Sequence, residues 1–169
     1  MKARLIIIIA LLALMTGTVF AGGSDSTTVT AVGQTVPEFS YMTDTGKQLS
    51  IRDMQGRVVL INFFATWCPP CKKEMPELEK IWQELKDKEF YLLSIGREET
   101  MKTVRDFKKE WKLSFPMAPD PQRKIYSKFA TQTIPRNVLL DEDGTIIYQS
   151  EGYTEAEFMH MLALIKEKL

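Results

Sequence analysis

The sequence predicts an α/β domain, a central mixed sheet with helices on both faces, opened by an N-terminal β-hairpin. Three observations predict it. Stretches of strand type alternate with stretches of helical period along the chain. The run Val58-Val-Leu-Ile-Asn-Phe-Phe64 is apolar enough for a buried strand and passes directly into a helical pattern. The chain then closes with a hairpin turn, Asp143-Gly144, and an amphipathic helix.

Residues 1–21 read as an export signal. Lys2 and Arg4 give a basic start, residues 5–15 are unbroken apolar, and Val19-Phe20-Ala21 is a small-x-small cleavage site. The apolar run is short for a membrane span, so cleavage after Ala21 is expected; a retained segment would act as an anchor. No cysteine lies near that site, which excludes a lipid-modified cysteine there. Residues 22–32, rich in Gly, Ser, Thr and Asp, are expected to form a flexible lead-in. Residues 33–169 then make one domain, long enough for a substantial core.

Each element has a local reason. Residues 36–42 have strand character, and Asp44-Thr45-Gly46-Lys47 signals a turn into Gln48-Leu49. Ser50 and Asp53 pattern a short helix start that Gly56 ends. Residues 57–65 are the central strand. A helix over 69–87 puts Met75, Leu78, Ile81, Trp82 and Leu85 on one face, with a kink expected at Pro76. A strand over 89–96 precedes a helix over 100–111, with Val104, Phe107 and Trp111 inward. A short strand over 113–117 follows, and Asp120 with Pro121 reads as the cap and first position of another helix. Residues 136–141 and 145–150 make the closing hairpin. Thr154 and Glu157 form a capping box for the last helix, whose inward residues are Phe158, Met161, Leu162 and Ile165. The order predicts a mostly parallel sheet with an antiparallel edge, and no internal repeat is visible.

Basic and acidic residues balance at 22 each, and loss of Lys2 and Arg4 leaves a small acidic excess. This argues against nucleic acid or an anionic membrane surface as partner. The two cysteines, Cys68 and Cys71, stand at the spacing C-x-x-C where the buried strand meets the helix. The first N–H groups of a helix lack internal partners and carry the positive end of its dipole, so a thiolate there is stabilised. The pair reads as a working redox couple. Cys68, ahead of the helix, is expected to attack and to be the more exposed. Cys71, inside the first turn, is expected to be buried and to resolve the mixed disulfide. The competing readings are a structural disulfide or half of a metal site. A metal needs more ligands, and the single histidine, His160, falls on the solvent side of the last helix. The nine scattered methionines read as core filler. No metal is expected, and no cofactor beyond the redox-active Cys68–Cys71 disulfide.

The string Leu60-Ile-Asn-Phe-Phe-Ala-Thr-Trp-Cys-Pro-Pro-Cys-Lys-Lys-Glu-Met-Pro-Glu-Leu78 resembles the thioredoxin superfamily, in particular its TlpA/ResA branch of extracytoplasmic thiol-disulfide oxidoreductases. Gly33-Gln-Thr-Val-Pro-Glu-Phe39 and Asp44-Thr-Gly46 resemble that branch's opening hairpin. The helix and strand between Thr100 and Met117 resemble its insertion, and Thr133-Ile-Pro-Arg-Asn-Val-Leu-Leu-Asp141 its Gly-x-Pro-Thr segment. The resemblance implies a thioredoxin-like fold. It also implies a cis Pro135 facing the cysteines, and a substrate groove formed by Trp67, Pro69, Pro70, Thr133, Ile134, Pro135 and Arg136. The sequence departs from the branch at Phe64, where Trp is usual, at Thr133, where Gly is usual, and at Arg136, where Thr is usual.

Glu74 lies three residues after Cys71, on the same helical face. Position alone leaves two readings, an exposed first-turn acid or a carboxylate that takes the Cys71 proton. The resemblance includes an acid here and favours the second. Asn62 stands where thioredoxin carries a buried Asp, and is read as satisfying backbone groups in the core. Trp67 either covers the disulfide at the substrate surface or packs in the core.

Pro69 and Pro70 offer no N–H and no charge to a Cys68 thiolate, and the exposed Lys72 and Lys73 are screened. Modest thiolate stabilisation points to a reductant rather than an oxidant. The expected activity is reduction of disulfides in exported proteins of the periplasm or cell envelope, by a monomer. By resemblance, electrons would come from a membrane thiol-reducing protein of the CcdA or DsbD type, and an apocytochrome c is one substrate. The alternatives are a disulfide oxidase or isomerase, a thiol peroxidase, and a non-enzymatic metal-binding module.

Overall fold

The computed structural model describes residues 27–169. Their elements run β1 (Ser40–Met42), β2 (Gln48–Ser50), β3 (Val58–Phe64), α1 (Pro69–Leu85), β4 (Phe90–Arg97), α2 (Met101–Glu110), β5 (Met117–Asp120), β6 (Arg136–Leu140), β7 (Ile146–Glu151) and α3 (Glu155–Lys168). Short 3-10 turns lie at Ile51–Met54 and Tyr126–Lys128. The export signal read over 1–21 lies outside the described residues.

β1 and β2 pair as a separate hairpin, and the other five strands form a sheet in the order β5-β4-β3-β6-β7. β3 is its centre, with all seven side chains buried. The sheet is evenly mixed rather than mostly parallel. β5, β4 and β3 are parallel, joined through α1 and α2, while β6 and β7 run antiparallel to β3 and to each other.

Alternation along β3 divides the core. Val58, Leu60 and Phe64 face a cluster that includes Met75, Leu78 and Ile81 of α1, Phe107 of α2 and Phe158 of α3. Val59, Ile61 and Phe63 face a second cluster with Tyr41, Met54, Tyr126 and Phe129. Each such side chain contributes about 1.5–3 kcal/mol on burial. All three α-helices thus cover one face; the helical cover expected on the other is reduced to the two 3-10 turns, aided by the hairpin.

The helix read from Asp120 and Pro121 does not form. The Asp120 carboxylate accepts from the N–H groups of Ile125 and Tyr126, spanning a loop instead of capping a first turn. Arg123 within that loop has φ of 57°, which no right-handed helix allows. The preceding strand is also displaced, to Met117–Asp120 from the expected 113–117. By contrast, the Ser50–Asp53 capping box and the Thr154 cap are both formed.

The lead-in is not loose over its described part. Val29 N–H donates to Phe129 O, Thr131 N–H to Thr27 O, and Thr30 is buried against Gln149. Its Ser/Thr-rich composition read as flexible, yet those backbone and side-chain groups find partners along β7 and the Phe129–Thr131 segment.

Candidate active site

Cys68 and Cys71 are joined in a disulfide at the N-terminus of α1. Cys68 is the helix cap, with extended φ and ψ, and Cys71 N–H donates to its Sγ at 3.3 Å. Pro69 and Pro70 occupy the first helical positions, where a missing N–H costs least. One backbone donor therefore remains for a Cys68 thiolate. Both cysteines are buried, Cys68 at 2% and Cys71 at 0% exposure, so the disulfide does not show the expected exposure of Cys68.

Two neighbouring loops set this geometry. The Thr66 N–H and hydroxyl both donate to the buried carboxylate of Glu99, at 2.7 and 2.8 Å. Gly96 makes that approach possible, since a Cβ there would lie 2.8 Å from the Cβ of Glu99. On the other side, the carbonyl oxygen of Ile134 stands 3.8 Å from Cys68 Sγ, and Ile134–Pro135 is cis.

Trp67 is 62% exposed, so it is not a core residue; it stands at the surface beside Cys68. Pro69 and Thr133 are exposed, Pro70 and Ile134 half-buried, and Pro135 buried. Trp67, Pro69 and Pro70 adjoin the cysteines along the chain, and Ile134 reaches Cys68 through its carbonyl. Arg136 does not join them. Its position in β6 pairs with Phe63, so its side chain enters the face opposite the helices. There it is 1% exposed, bonded to Thr27, Thr28, the Gln132 carbonyl and Glu151. Its assignment to the groove is corrected to an anchor for the chain's lead-in.

Glu74 is buried, not an exposed first-turn acid. Its Oε1 accepts from Asn137 Nδ2 at 2.6 Å and its Oε2 from Asn62 Nδ2 at 3.0 Å. Burial pushes its pKa up to about 7, against the pull of the two amide donors. Asn62 is therefore not a filler for backbone groups. It also donates to Asn137 Oδ1 and accepts from Ser94 Oγ. The sequence reading missed Asn137 and Ser94; a polar residue inside the apolar run of β6 was the available signal for Asn137.

Among the described residues no cluster of three or more His, Cys, Asp or Glu could hold a metal. His160 is exposed, against the ring of Tyr148.

The Redoxin family model matches residues 31–165. The chain belongs to the Redoxin family. The relative named thiol-disulfide oxidoreductase ResA from Bacillus cereus is 31% identical over 149 residues, covering 88% of this chain and 86% of that protein. The thioredoxin-like protein YneN from Bacillus subtilis is 38% identical over 117 residues, 68% of each chain. A solution structure from Bacteroides thetaiotaomicron, described as a candidate protein disulfide isomerase, is 36% identical. It superposes with a TM-score of 0.81, over 84% of this chain and 92% of that one. This redoxin is a thiol-disulfide oxidoreductase of the ResA type, and its Cys68 and Cys71 are paired in a disulfide.

Proposed function

We propose that this redoxin reduces disulfides of exported proteins in the bacterial cell envelope. The supporting observation is the Cys68–Cys71 disulfide at the start of α1, flanked by the exposed Trp67 and the Ile134 carbonyl. In the reduced enzyme, the Cys68 thiolate attacks one sulfur of a substrate disulfide. The substrate S–S bond breaks, a Cys68–substrate disulfide forms, and one substrate thiolate leaves. Cys71 then loses its proton to Glu74 and attacks Cys68 Sγ. The mixed disulfide breaks, the second substrate thiolate departs, and two electrons have passed from the dithiol to the substrate. Glu74 later returns its proton to the departing thiolate or to water.

The envelope location rests on the export signal read over 1–21 and on the ResA-type relatives. No helix among the described residues is long and apolar enough to cross a membrane. In an oxidising compartment the enzyme needs re-reduction, and a membrane thiol-reducing donor of the CcdA or DsbD type fits that need. An apocytochrome c awaiting haem is a suitable substrate class.

A second reading, disulfide isomerase, is favoured by the name given to the Bacteroides relative. The order in which the two cysteines attack has its own test. Cys71→Ser should accumulate Cys68-linked mixed disulfides with exported proteins, resolved on non-reducing gels. Trapping by Cys68→Ser instead would reverse the assigned roles.

A further inference from the structure

Four polar side chains from four elements meet in the otherwise apolar core beneath the cysteines: Ser94 of β4, Asn62 of β3, Asn137 of β6 and Glu74 of α1. All four are buried, so each donor and acceptor must find its partner within the group. The bonds run in one direction. Ser94 Oγ donates to Asn62 Oδ1 at 2.7 Å, Asn62 Nδ2 donates to Asn137 Oδ1 and to Glu74, and Asn137 Nδ2 donates to Glu74. Every bond points toward the carboxylate, which accepts on both oxygens. That polarity suits an ionised Glu74.

A protonated Glu74 needs an acceptor in place of one donor. Reversing both amides does not meet that need: Glu74 O–H could then donate to Asn137 Oδ1, but its other oxygen would face Asn62 Oδ1 with no donor between them. The network therefore favours the ionised carboxylate, and an apolar residue at either amide position would remove a donor from it.

We propose that Asn137, with Asn62 and Ser94, is a positioning residue for the proton step. The three form a one-way donor relay that favours the ionised form of Glu74 and so sets the pH at which Cys71 is activated. The inference rests on the reading of Glu74 as the acceptor of the Cys71 proton. The titratable groups that feel the Glu74 charge are Tyr148 on β7 and Tyr153 ahead of α3, and Cys71 lies three residues before Glu74 on α1. Both tyrosines are raised in pKa by burial first and by the Glu74 charge to a smaller extent, so they are neutral across the range in which Glu74 titrates. Glu77, one turn further along α1, acts on Tyr153 rather than on the relay.

The test compares Asn137→Thr with Asn137→Val in the whole exported domain. The two side chains have the same shape and both suit a strand, but only Thr can donate and accept. Two readouts are followed against pH. One is the infrared carbonyl band of protonated Glu74, identified by its loss in Glu74→Gln; the other is the rate at which Cys71 resolves a Cys68 mixed disulfide. Loss of a bond to a charged group is worth about one to two pH units. Asn137→Val should therefore raise the Glu74 midpoint by about that much, moving the rate profile with it, while Asn137→Thr stays near the parent. Equal midpoints in the two variants would overturn the relay. A shifted Glu74 band with an unmoved rate profile would uphold the relay's hold on Glu74 but overturn its link to Cys71. In that case Glu74→Gln should also leave the profile unchanged, which locates the failure in the reading of Glu74. Should Asn137→Val not fold, Asn62→Thr and Asn62→Val make the same comparison from β3.

Discussion

Cys68 Sγ lies 3.8 Å from the carbonyl oxygen of Ile134, so the loop before β6 forms one wall of the redox site. That loop is held from behind. The Tyr126 hydroxyl shares its one proton between the carbonyls of Gln132 and Thr133, and the Tyr126 ring is flanked by Arg97 and Arg123 at 5.2 and 5.3 Å. Removing the hydroxyl leaves two carbonyls to find other donors. Tyr126→Phe should cost about 1–2 kcal/mol in denaturant unfolding. It should also speed amide exchange over residues 131–134 while the sheet stays protected. Unchanged exchange there would mean that the hydroxyl does not hold the loop.

Thr133 has φ of 70°, a left-handed conformation that a β-branched residue adopts at a cost of about 1–3 kcal/mol. Glycine removes that cost and adds about 0.5–1 kcal/mol of backbone entropy loss. Thr133→Gly should therefore stabilise the protein by about 1 kcal/mol, raising Tm by roughly 3 °C. A lower Tm would show that the Thr133 side chain contributes a stabilising contact.

Arg136 carries the lead-in. Its guanidinium bridges Thr27, Thr28, the Gln132 carbonyl and Glu151, and its Nε alone is buried without a partner. Because Glu151 is half exposed, losing the arginine strands no buried acid. The cost of Arg136→Ala is then lost packing and hydrogen bonds, about 2–4 kcal/mol. Exchange at Val29 and Thr131 should rise. The Cys68–Cys71 potential should stay as it was, since the side chain enters the face away from the cysteines; a large change in potential would contradict this placement.

Glu74 gives stability a pH dependence of definite sign. Its folded pKa, about 7, is above its ordinary value of 4.5, so the folded protein keeps a proton that the unfolded chain has released. Stability should fall as pH rises from about 4.5 through about 7 and level off above, by about 3 kcal/mol in all. Glu74→Gln should abolish this slope, so its stability relative to the parent should increase across the same window. Denaturant midpoints of the oxidised forms at pH 4, 6 and 8 check it; parallel curves would show that Glu74 titrates normally.

The sequence carried most of the fold because its signals were local. The run at Val58, the capping box at Ser50 and the Thr154 cap act within a few residues of themselves. The cysteine pair was legible for the same reason. The misreadings arose where distant partners decide. Asp120 looked like a helix cap, but its carboxylate is taken by Ile125 and Tyr126 across a loop. Arg136 looked like a groove residue until its register with Phe63 turned it to the other face. Asn62 and Asn137 lie far apart in the chain, and only their pairing across β3 and β6 brings them to Glu74. A polar residue in an apolar strand announces a partner without saying which.

The most direct measurement is the equilibrium reduction potential of Cys68–Cys71 in the fragment from Gly22 to Leu169, by thiol trapping in redox buffers. With Pro69 and Pro70 lacking N–H groups, Cys71 N–H is the backbone donor seen at Cys68 Sγ, so the Cys68 thiolate is only modestly stabilised. A value near the thioredoxin range, about −270 mV, is the expected result and fits a reductase. A value near about −120 mV would mark an oxidant and contradict the account.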